Sequence, residues 1–399
     1  MSLDYDVIVV GAGPAGSTSA KYAAQGSAKV LLVERKIDVG VPQKCGEMLP
    51  TVDQMKKLMP DARGVEELFN VHSRFVVNRT KHVEFFFPGN FSKRVSFDSN
   101  ILERKIFDHR LADEAVRTGS DLMISTHALA LLEGNHGVVL RNERGEVVRA
   151  RAKALIDAGG ALSMIAKAAG LRGRVDPLDI GIGLQYEMSR VDMDEEVIEM
   201  YFGKEYTPGA YAWIIPKGDG IANVGISLRH AYMERGVLAR DYLTRFIRKH
   251  PIASKRLGRA APIAIKNGVV PVGGPMERTV SGNVLLVGDA ASQALAHVGG
   301  GIPSALICGK IAGEAAASYV KGSESLSSYE SRWRNVLGKV LKDSLRLRKM
   351  GDIFFKSDKL TEFILNRGWA TEEMLMRFVD CRVDRKIMLA ERMLRATKI

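Results

Sequence analysis

The alternation of apolar and polar positions changes style along the chain, and each style predicts a different kind of element. Tyr5 to Val10 is an apolar run of strand length. A glycine-rich turn over Gly11 to Gly16 follows it, then a helical pattern over Ser17 to Gln25 and a second apolar run over Lys29 to Glu34. This is one βαβ unit, which predicts a doubly wound sheet with its ligand at the carboxyl ends of the strands. Residues 100 to 160 return to the same style, with a helix from Glu103 to Thr118, a strand around Leu122 to Ser125, a hairpin through Asn135 and Arg144-Gly145, and the strand Ala154 to Asp157. Between residues 175 and 275 the pattern becomes short alternating strands, over Ile182–Met188, Val197–Phe202, Tyr211–Ile215 and Ala222–Leu228, as expected of an antiparallel sheet. From Asn283 the first style resumes, and after Ser325 apolar residues recur at helical spacing.

The expected fold class is therefore α/β with α+β. A Rossmann-like nucleotide-binding domain, discontinuous over 1–70, 98–175 and 276–325, is interrupted by a mostly antiparallel substrate domain over 71–97 and 176–275. A C-terminal helical region over 326–399 completes the chain.

Composition narrows the class. With 399 residues, 46% hydrophobic and 26% charged, the chain is globular and large enough for two domains on a shared core. Its 39 glycines against 13 prolines point to close backbone approaches rather than low complexity. The net charge of +12 is concentrated in the tail, where residues 331–399 carry 17 Lys/Arg against 9 Asp/Glu. Such a balance favours an anionic partner. Nucleic acid is not expected, because no recognition motif accompanies the basic residues. Arg346-Leu-Arg348-Lys349 and Arg382 to Lys386 are candidates for contact with an anionic bilayer or a phosphate headgroup, with a solvated helix face as the alternative.

Three cysteines, Cys45, Cys308 and Cys381, give no disulfide framework and cannot form a four-thiolate metal site; no metal is expected, and a reducing, cytoplasmic location is the default. The N-terminus lacks the pattern of a signal peptide. Ala290 to Gly309 carries no Asp, Glu, Lys or Arg, but Ser292, Gln293, His297, three glycines and Pro303 divide it into a loop and a helix start. No membrane-spanning helix is expected.

The motifs carry the chemistry. Gly11-Ala12-Gly13-Pro14-Ala15-Gly16 fits G-x-G-x-x-G directly after a strand, and Glu34 ends the next strand. Glycines let backbone N–H groups approach a pyrophosphate at a helix N-terminus, while a carboxylate placed like Glu34 accepts ribose hydroxyls. This unit alone leaves FAD and NAD both open. Gly299-Gly300-Gly301 precedes a helix whose positive end suits an electron-rich ring.

Asn283 to Ala291, NVLLVGDAA, resembles the second FAD fingerprint of flavoproteins of the p-hydroxybenzoate hydroxylase fold, where the aspartate, here Asp289, binds the ribitol chain. Asp157-Ala-Gly-Gly160 resembles the middle motif of that superfamily, and Arg104 its FAD-contacting arginine. A narrower resemblance rests on Pro42-Gln-Lys-Cys45-Gly46-Glu47, Tyr211-Ala-Trp213-Ile-Ile-Pro216-Lys-Gly218 and His297-Val-Gly-Gly-Gly-Ile302. These resemble segments of the geranylgeranyl reductases, the archaeal digeranylgeranylglycerophospholipid reductases in particular, in motif order over residues 4–320.

The resemblance implies FAD, held by Ala15, Glu34, Cys45, Gly46, Met48, Arg104, Ala128, Asp289, Gly301 and Ile302 together with the fingerprint glycines Gly11, Gly13 and Gly16. It implies that the reduced flavin saturates double bonds of a geranylgeranyl glycerophospholipid. Cys45 is then a candidate proton donor or gate, or else a small buried hydrophobe. His297 is a candidate acid, or a loop histidine satisfied by the backbone. Tyr211 and Trp213 alternate onto one strand face and suit either a lipid slot or an ordinary core. A second G-x-G-x-x-G after a strand is absent from the sequence, so ferredoxin or another carrier, or NAD(P)H without its own domain, is the expected electron donor. Peripheral membrane contact through the basic tail is part of this expectation. Two other readings stay open: an aromatic monooxygenase of the same superfamily, and a non-catalytic flavin carrier or lipid-binding module docking on membranes through its tail.

Overall fold

In the computed structural model, which describes residues 2–42, 45–354, 357–367 and 371–396, two eight-stranded sheets are joined by helices. The first sheet runs Val280–Ser281, Val284–Leu286, Val147–Asp157, Ser2–Val10, Val30–Val33, Asp121–Met123, with the hairpin His127–Leu131 and Gly137–Arg141 added on Val147–Asp157. From Val284–Leu286 to Asp121–Met123 all neighbours are parallel. Val7, Ile8, Val9, Leu31, Leu32, Leu155 and Ile156 are fully buried, the continuous apolar run of strands covered on both faces.

Helices Pro14–Gln25 and Ile302–Val320 pack against each other beside this sheet. Glycine makes the approach feasible: a Cβ at Gly309 would lie 2.7 Å from the Ala15 carbonyl oxygen, and one at Gly313 only 2.3 Å from that of Ser19. Close packing brings the N-termini of both helices, Gly13 and Gly301, to one cavity, and neither end is capped by a side chain.

The second sheet runs Ala261–Pro271, Ile180–Ser189, Ile221–Arg229, Ala212–Gly218, Val197–Tyr201, Val76–Phe87, Phe91–Leu102, Met48–Pro50. Neighbours are antiparallel except Val197–Tyr201 with Val76–Phe87. Sheet membership thus differs from the expected boundaries at two places. Residues 48–50 and 98–102, expected with the nucleotide-binding domain, belong to the second sheet. A three-residue strand is too short to show a period, and register with Val76–Phe87 carries Phe91–Leu102 past residue 97.

The tail supplies helices Ser328–Phe354, Asp358–Asn366, Glu372–Val379 and Arg385–Ala396; residues 355–356, 368–370 and 397–399 of the expected helical region lie outside the described residues. Tyr329, Trp333, Leu337 and Leu341 recur every four residues and are buried in the main core. The Trp333 ring is 0% exposed and its Nε1–H donates to Thr279 Oγ1 at 2.9 Å. Trp333→Ala is expected to remove about 3–5 kcal/mol of stability, read as a fall in the urea midpoint. No helix among the described residues is long and apolar enough to cross a membrane.

Candidate active site

A cavity of about 450 Å³ runs between the two sheets. Its first end is built from backbone. Gly13, Pro14 and Ala15 open helix Pro14–Gln25 onto it, Ala158 and Gly160 end the central strand, and Asp289 and Gly299 to Ile302 close the opposite wall. Gly11 is held at φ +101 with Ala158 O only 2.5 Å from where a Cβ would lie, and a Cβ on Gly16 would collide with Gly11 O at 1.8 Å. At Gly13, by contrast, a Cβ would meet nothing within 4 Å. Two uncapped helix N-termini and an open glycine facing one space form a cradle for an anionic group, and these residues fit the pyrophosphate and ring of a flavin dinucleotide.

Other expected contacts lie around this cradle. The Glu34 carboxylate accepts the N–H groups of Ala12 at 2.9 Å and Lys36 at 3.0 Å. Ala128 lies outside the cavity lining, two residues beyond Thr126, whose N–H donates to Glu34 O at 2.9 Å. Asp157 is buried, accepting from Gly159 N and from Ser163 Oγ at 2.6 Å. Arg172, not anticipated from the sequence, ties the middle and third motifs together through Ala161 O at 2.5 Å and Ala290 O at 2.6 Å.

Cys45, Gly46, Glu47 and Met48 form the next part of the wall; Gln43 and Lys44 of the same motif lie outside the described residues. Glu47 N–H donates to Cys45 Sγ at 3.1 Å. The Arg104 guanidinium pairs with Asp108 at 2.8 Å and lies beside Cys45 on the cavity wall. Burial works against the charge of Arg104, but Asp108 and then Cys45 more than offset it, and its pKa is raised. Arg104 is therefore a fixed cation at the cavity wall.

Beyond Cys45 the lining turns apolar, with Val83, Phe85, Phe97, Ile198, Met200 and Ile215 from the second sheet and Phe378 and Val379 from helix Glu372–Val379. Tyr211 and Trp213 both face this space, their rings 5.9 Å apart. Tyr211 donates to Val298 O at 2.5 Å, and Trp213 Nε1–H donates to Gln185 Oε1 at 2.7 Å. Across the ladder Trp213 faces Gly225, where any Cβ would come within 2.4 Å of the indole. The ring therefore needs glycine opposite.

A buried ion cluster lies behind Cys45. Lys217 Nζ is 2.9 Å from Glu47, 3.0 Å from Glu187 and 3.1 Å from Glu103, while Lys266 Nζ is 2.8 Å from Glu187 and 3.1 Å from Glu47. Burial opposes ionisation of both Lys217 and Glu187, yet their partners raise the first pKa and lower the second, so both are charged. Sequence reasoning missed this cluster. Its signal was a lysine interrupting two apolar strand patterns, in Ile214-Ile-Pro-Lys217 and Ile263-Ala-Ile-Lys266.

His297 also lines the cavity. Its Nδ1 is 2.8 Å from Ser344 Oγ and its ring meets Phe378 edge-on at 5.0 Å. Burial pushes its pKa down to about 4, so at neutral pH the imidazole is uncharged. His250, packed among Tyr201, Tyr206 and Phe246, is likewise lowered to about 4 by burial. Both bind protons less readily folded than unfolded, so the folded state loses stability as the pH falls from 6.5 towards 4. The contribution of His297 at pH 5 is on the order of 2 kcal/mol. Urea midpoints should fall over that range, and His297→Gln should flatten part of the fall; an unchanged acid limb would contradict the assignment.

The basic tail is less available than its sequence suggests. Arg348 is buried, pairing with Asp179 at 3.1 Å and donating to Leu178 O at 3.1 Å. Arg229 holds Asp352 from the other side. Arg346 pairs with Glu391 and Lys386 with Glu373. Arg348 thus fastens the tail to the rest of the chain, because Asp179 comes from a segment distant in sequence, whereas Arg346 joins two helices within the tail. Lys349, Arg382 and Arg385 remain exposed.

Residues 6–217 match the FAD dependent oxidoreductase family and residues 179–270 the geranylgeranyl reductase catalytic domain. The chain is 36% identical over 356 residues to digeranylgeranylglycerophospholipid reductase 2 of Methanopyrus kandleri, with 87% of each chain covered. It is 38% identical over 355 residues to the digeranylgeranylglycerophospholipid reductase of Methanocaldococcus jannaschii, covering 87% of this chain and 86% of that one. Among solved structures, the geranylgeranyl bacteriochlorophyll reductase-like protein of Thermoplasma acidophilum superposes with a TM-score of 0.81 at 28% identity, over 92% of this chain and 91% of that one. A flavin-dependent brominase shares the fold at 17% identity and a TM-score of 0.72. With its backbone cradle, its apolar slot and these likenesses, the chain belongs to the geranylgeranyl reductase family of FAD-dependent oxidoreductases.

Proposed function

We propose that this protein saturates C=C bonds in the geranylgeranyl chains of a glycerophospholipid. The observation that carries this reading is that the apolar slot of Val83, Phe85, Phe97, Ile198 and Met200 opens onto the flavin cradle at Cys45. A hydrocarbon chain satisfies such walls, whereas a polar substrate would lose its water there without replacement. The names of the relatives support the same substrate class.

When bound and reduced, FAD would supply the hydride for one alkene carbon. An isolated trisubstituted alkene offers no carbonyl to polarise, so this chain's own residues act by placement, exclusion of water and proton supply. Gly13, Ala15, Asp289 and Gly301 hold the dinucleotide. The slot and the Trp213 ring orient the chain. Cys45 gives its proton to the second carbon, and the Arg104 guanidinium and the Glu47 N–H receive the negative charge left on sulfur. His297, neutral and bonded to Ser344, acts as a wall group. The exposed Lys349, Arg382 and Arg385 present positive charge that an anionic lipid surface would attract.

The test is anaerobic mixing of dithionite-reduced holoprotein with a geranylgeranyl lipid, which makes the natural electron donor immaterial. Lipid-dependent return of the oxidised flavin spectrum is expected. Return only with oxygen and a phenol would identify a monooxygenase instead.

A further inference from the structure

The ion cluster behind Cys45 has no part in the scheme above, and its cost is large. Glu47 is 0% exposed, and Lys217 and Lys266 are each 6% exposed at the side chain. Buried charges are retained only when closely paired, and replacing such clusters with apolar groups often preserves stability. The backbone of Glu47 is also held at φ +71, a conformation that disfavours any side chain.

Two lysines and an asparagine of the second sheet converge on one short segment. Lys217 comes from Ala212–Gly218, Asn223 from Ile221–Arg229 and Lys266 from Ala261–Pro271. Asn223 Nδ2 donates to Glu47 Oε2 at 2.8 Å and to Gly46 O at 3.2 Å, and Gln185 Nε2 donates to Cys45 O at 3.2 Å. Residues 45–47 lie in no helix or strand of their own. Apart from the Leu102 N–H, which donates to Glu47 O at 2.8 Å, these side-chain bonds hold the segment in place.

We infer that Glu47 is a positioning residue: clamped between Lys217 and Lys266, it fixes the Cys45-Gly46-Glu47 segment to the second sheet and so sets where the Cys45 sulfur meets both the flavin cradle and the apolar slot. The inference rests on the proposed reduction for its catalytic consequence, and on geometry alone for its effect on the thiol. In its own αL conformation Glu47 directs its N–H at Cys45 Sγ, while its carboxylate points back into the cluster.

The test uses FAD-loaded full-length protein and two readouts. The first is lipid reduction from dithionite-reduced enzyme. The second is alkylation of Cys45 by iodoacetamide, taken at the high-pH plateau, where the rate reports access to sulfur rather than its ionisation. Cys308 and Cys381 are buried with raised pKa values and react far more slowly. In Glu47→Gln, kcat should fall roughly 10-fold or more with KM nearly unchanged, and the alkylation plateau should rise about 5-fold, with FAD content retained. Glu47→Asp, which keeps the charge on a shorter side chain, should restore part of the turnover and bring the alkylation plateau part of the way back. Should Glu47→Gln fail to fold, Glu47→Gln/Lys266→Met, which removes one charge of each sign, should show the same slow turnover and fast alkylation. Parental turnover and a parental plateau in a folded variant would overturn the inference, as would a loss of turnover that merely tracks lost FAD. If the parent reduces no lipid, the proposed function fails, while the alkylation plateau still decides the role of Glu47.

Discussion

Gly13→Asp is expected to give a folded protein that purifies without its yellow cofactor. Gly13 is the N-cap of helix Pro14–Gln25 at φ −73 and ψ −176, extended backbone that any residue adopts, and a Cβ there touches nothing within 4 Å. Aspartate is among the best N-cap residues, so relative to glycine the helix gains about a few tenths of a kcal/mol. The same carboxylate occupies the N–H groups that a pyrophosphate needs and places a negative charge against it. Losing charge-assisted bonds and adding repulsion should weaken FAD binding roughly 100-fold or more. Thermal unfolding and flavin absorbance of the purified variant check both halves. A yellow Gly13→Asp protein holding FAD at the parental ratio would remove the cradle from the account.

Cys45→Ala should lower kcat for lipid reduction about 100-fold, the lower range for a lost general acid, with KM nearly unchanged. Sγ accepts the Glu47 N–H at 3.1 Å and lies beside the Arg104 guanidinium, contacts that an alanine gives up while the slot remains open. Dithionite should still reduce the bound flavin at the parental rate, because that step needs no proton from the slot. Stopped-flow traces of each half-reaction separate the two. Full lipid turnover in Cys45→Ala would make Cys45 a packing residue.

What the sequence made legible follows from range. The turn at Gly11 to Gly16, the strand ends at Glu34 and Asp157 and the loop at Asp289 to Gly301 are each dictated by backbone demands within a few residues, and glycine spacing displays such demands directly. Four strands of the second sheet, Ile180–Ser189, Val197–Tyr201, Ala212–Gly218 and Ile221–Arg229, were legible from their alternation; the longer Val76–Phe87, Phe91–Leu102 and Ala261–Pro271 were not. Illegible were features whose partners lie far apart in the chain. Met48–Pro50 becomes a strand only by pairing with Phe91–Leu102. Glu47 finds Lys217 and Lys266 about 170 and 219 positions later, and Arg348 turns inward to Asp179. A basic tail read by composition alone cannot reveal such pairing, nor can a histidine in a loop reveal that burial keeps it neutral.

The central claim is that hydrogen passes from the flavin cradle to an alkene lying in the apolar slot. Its most direct test is mass spectrometry of a digeranylgeranyl glycerophospholipid after anaerobic incubation with dithionite-reduced holoprotein in deuterium oxide and in ordinary water. The account predicts lipid heavier by two hydrogens for each double bond saturated in ordinary water, and deuterium incorporated from the solvent in deuterium oxide. Lipid recovered at its starting mass from a reduced, FAD-replete enzyme would contradict it.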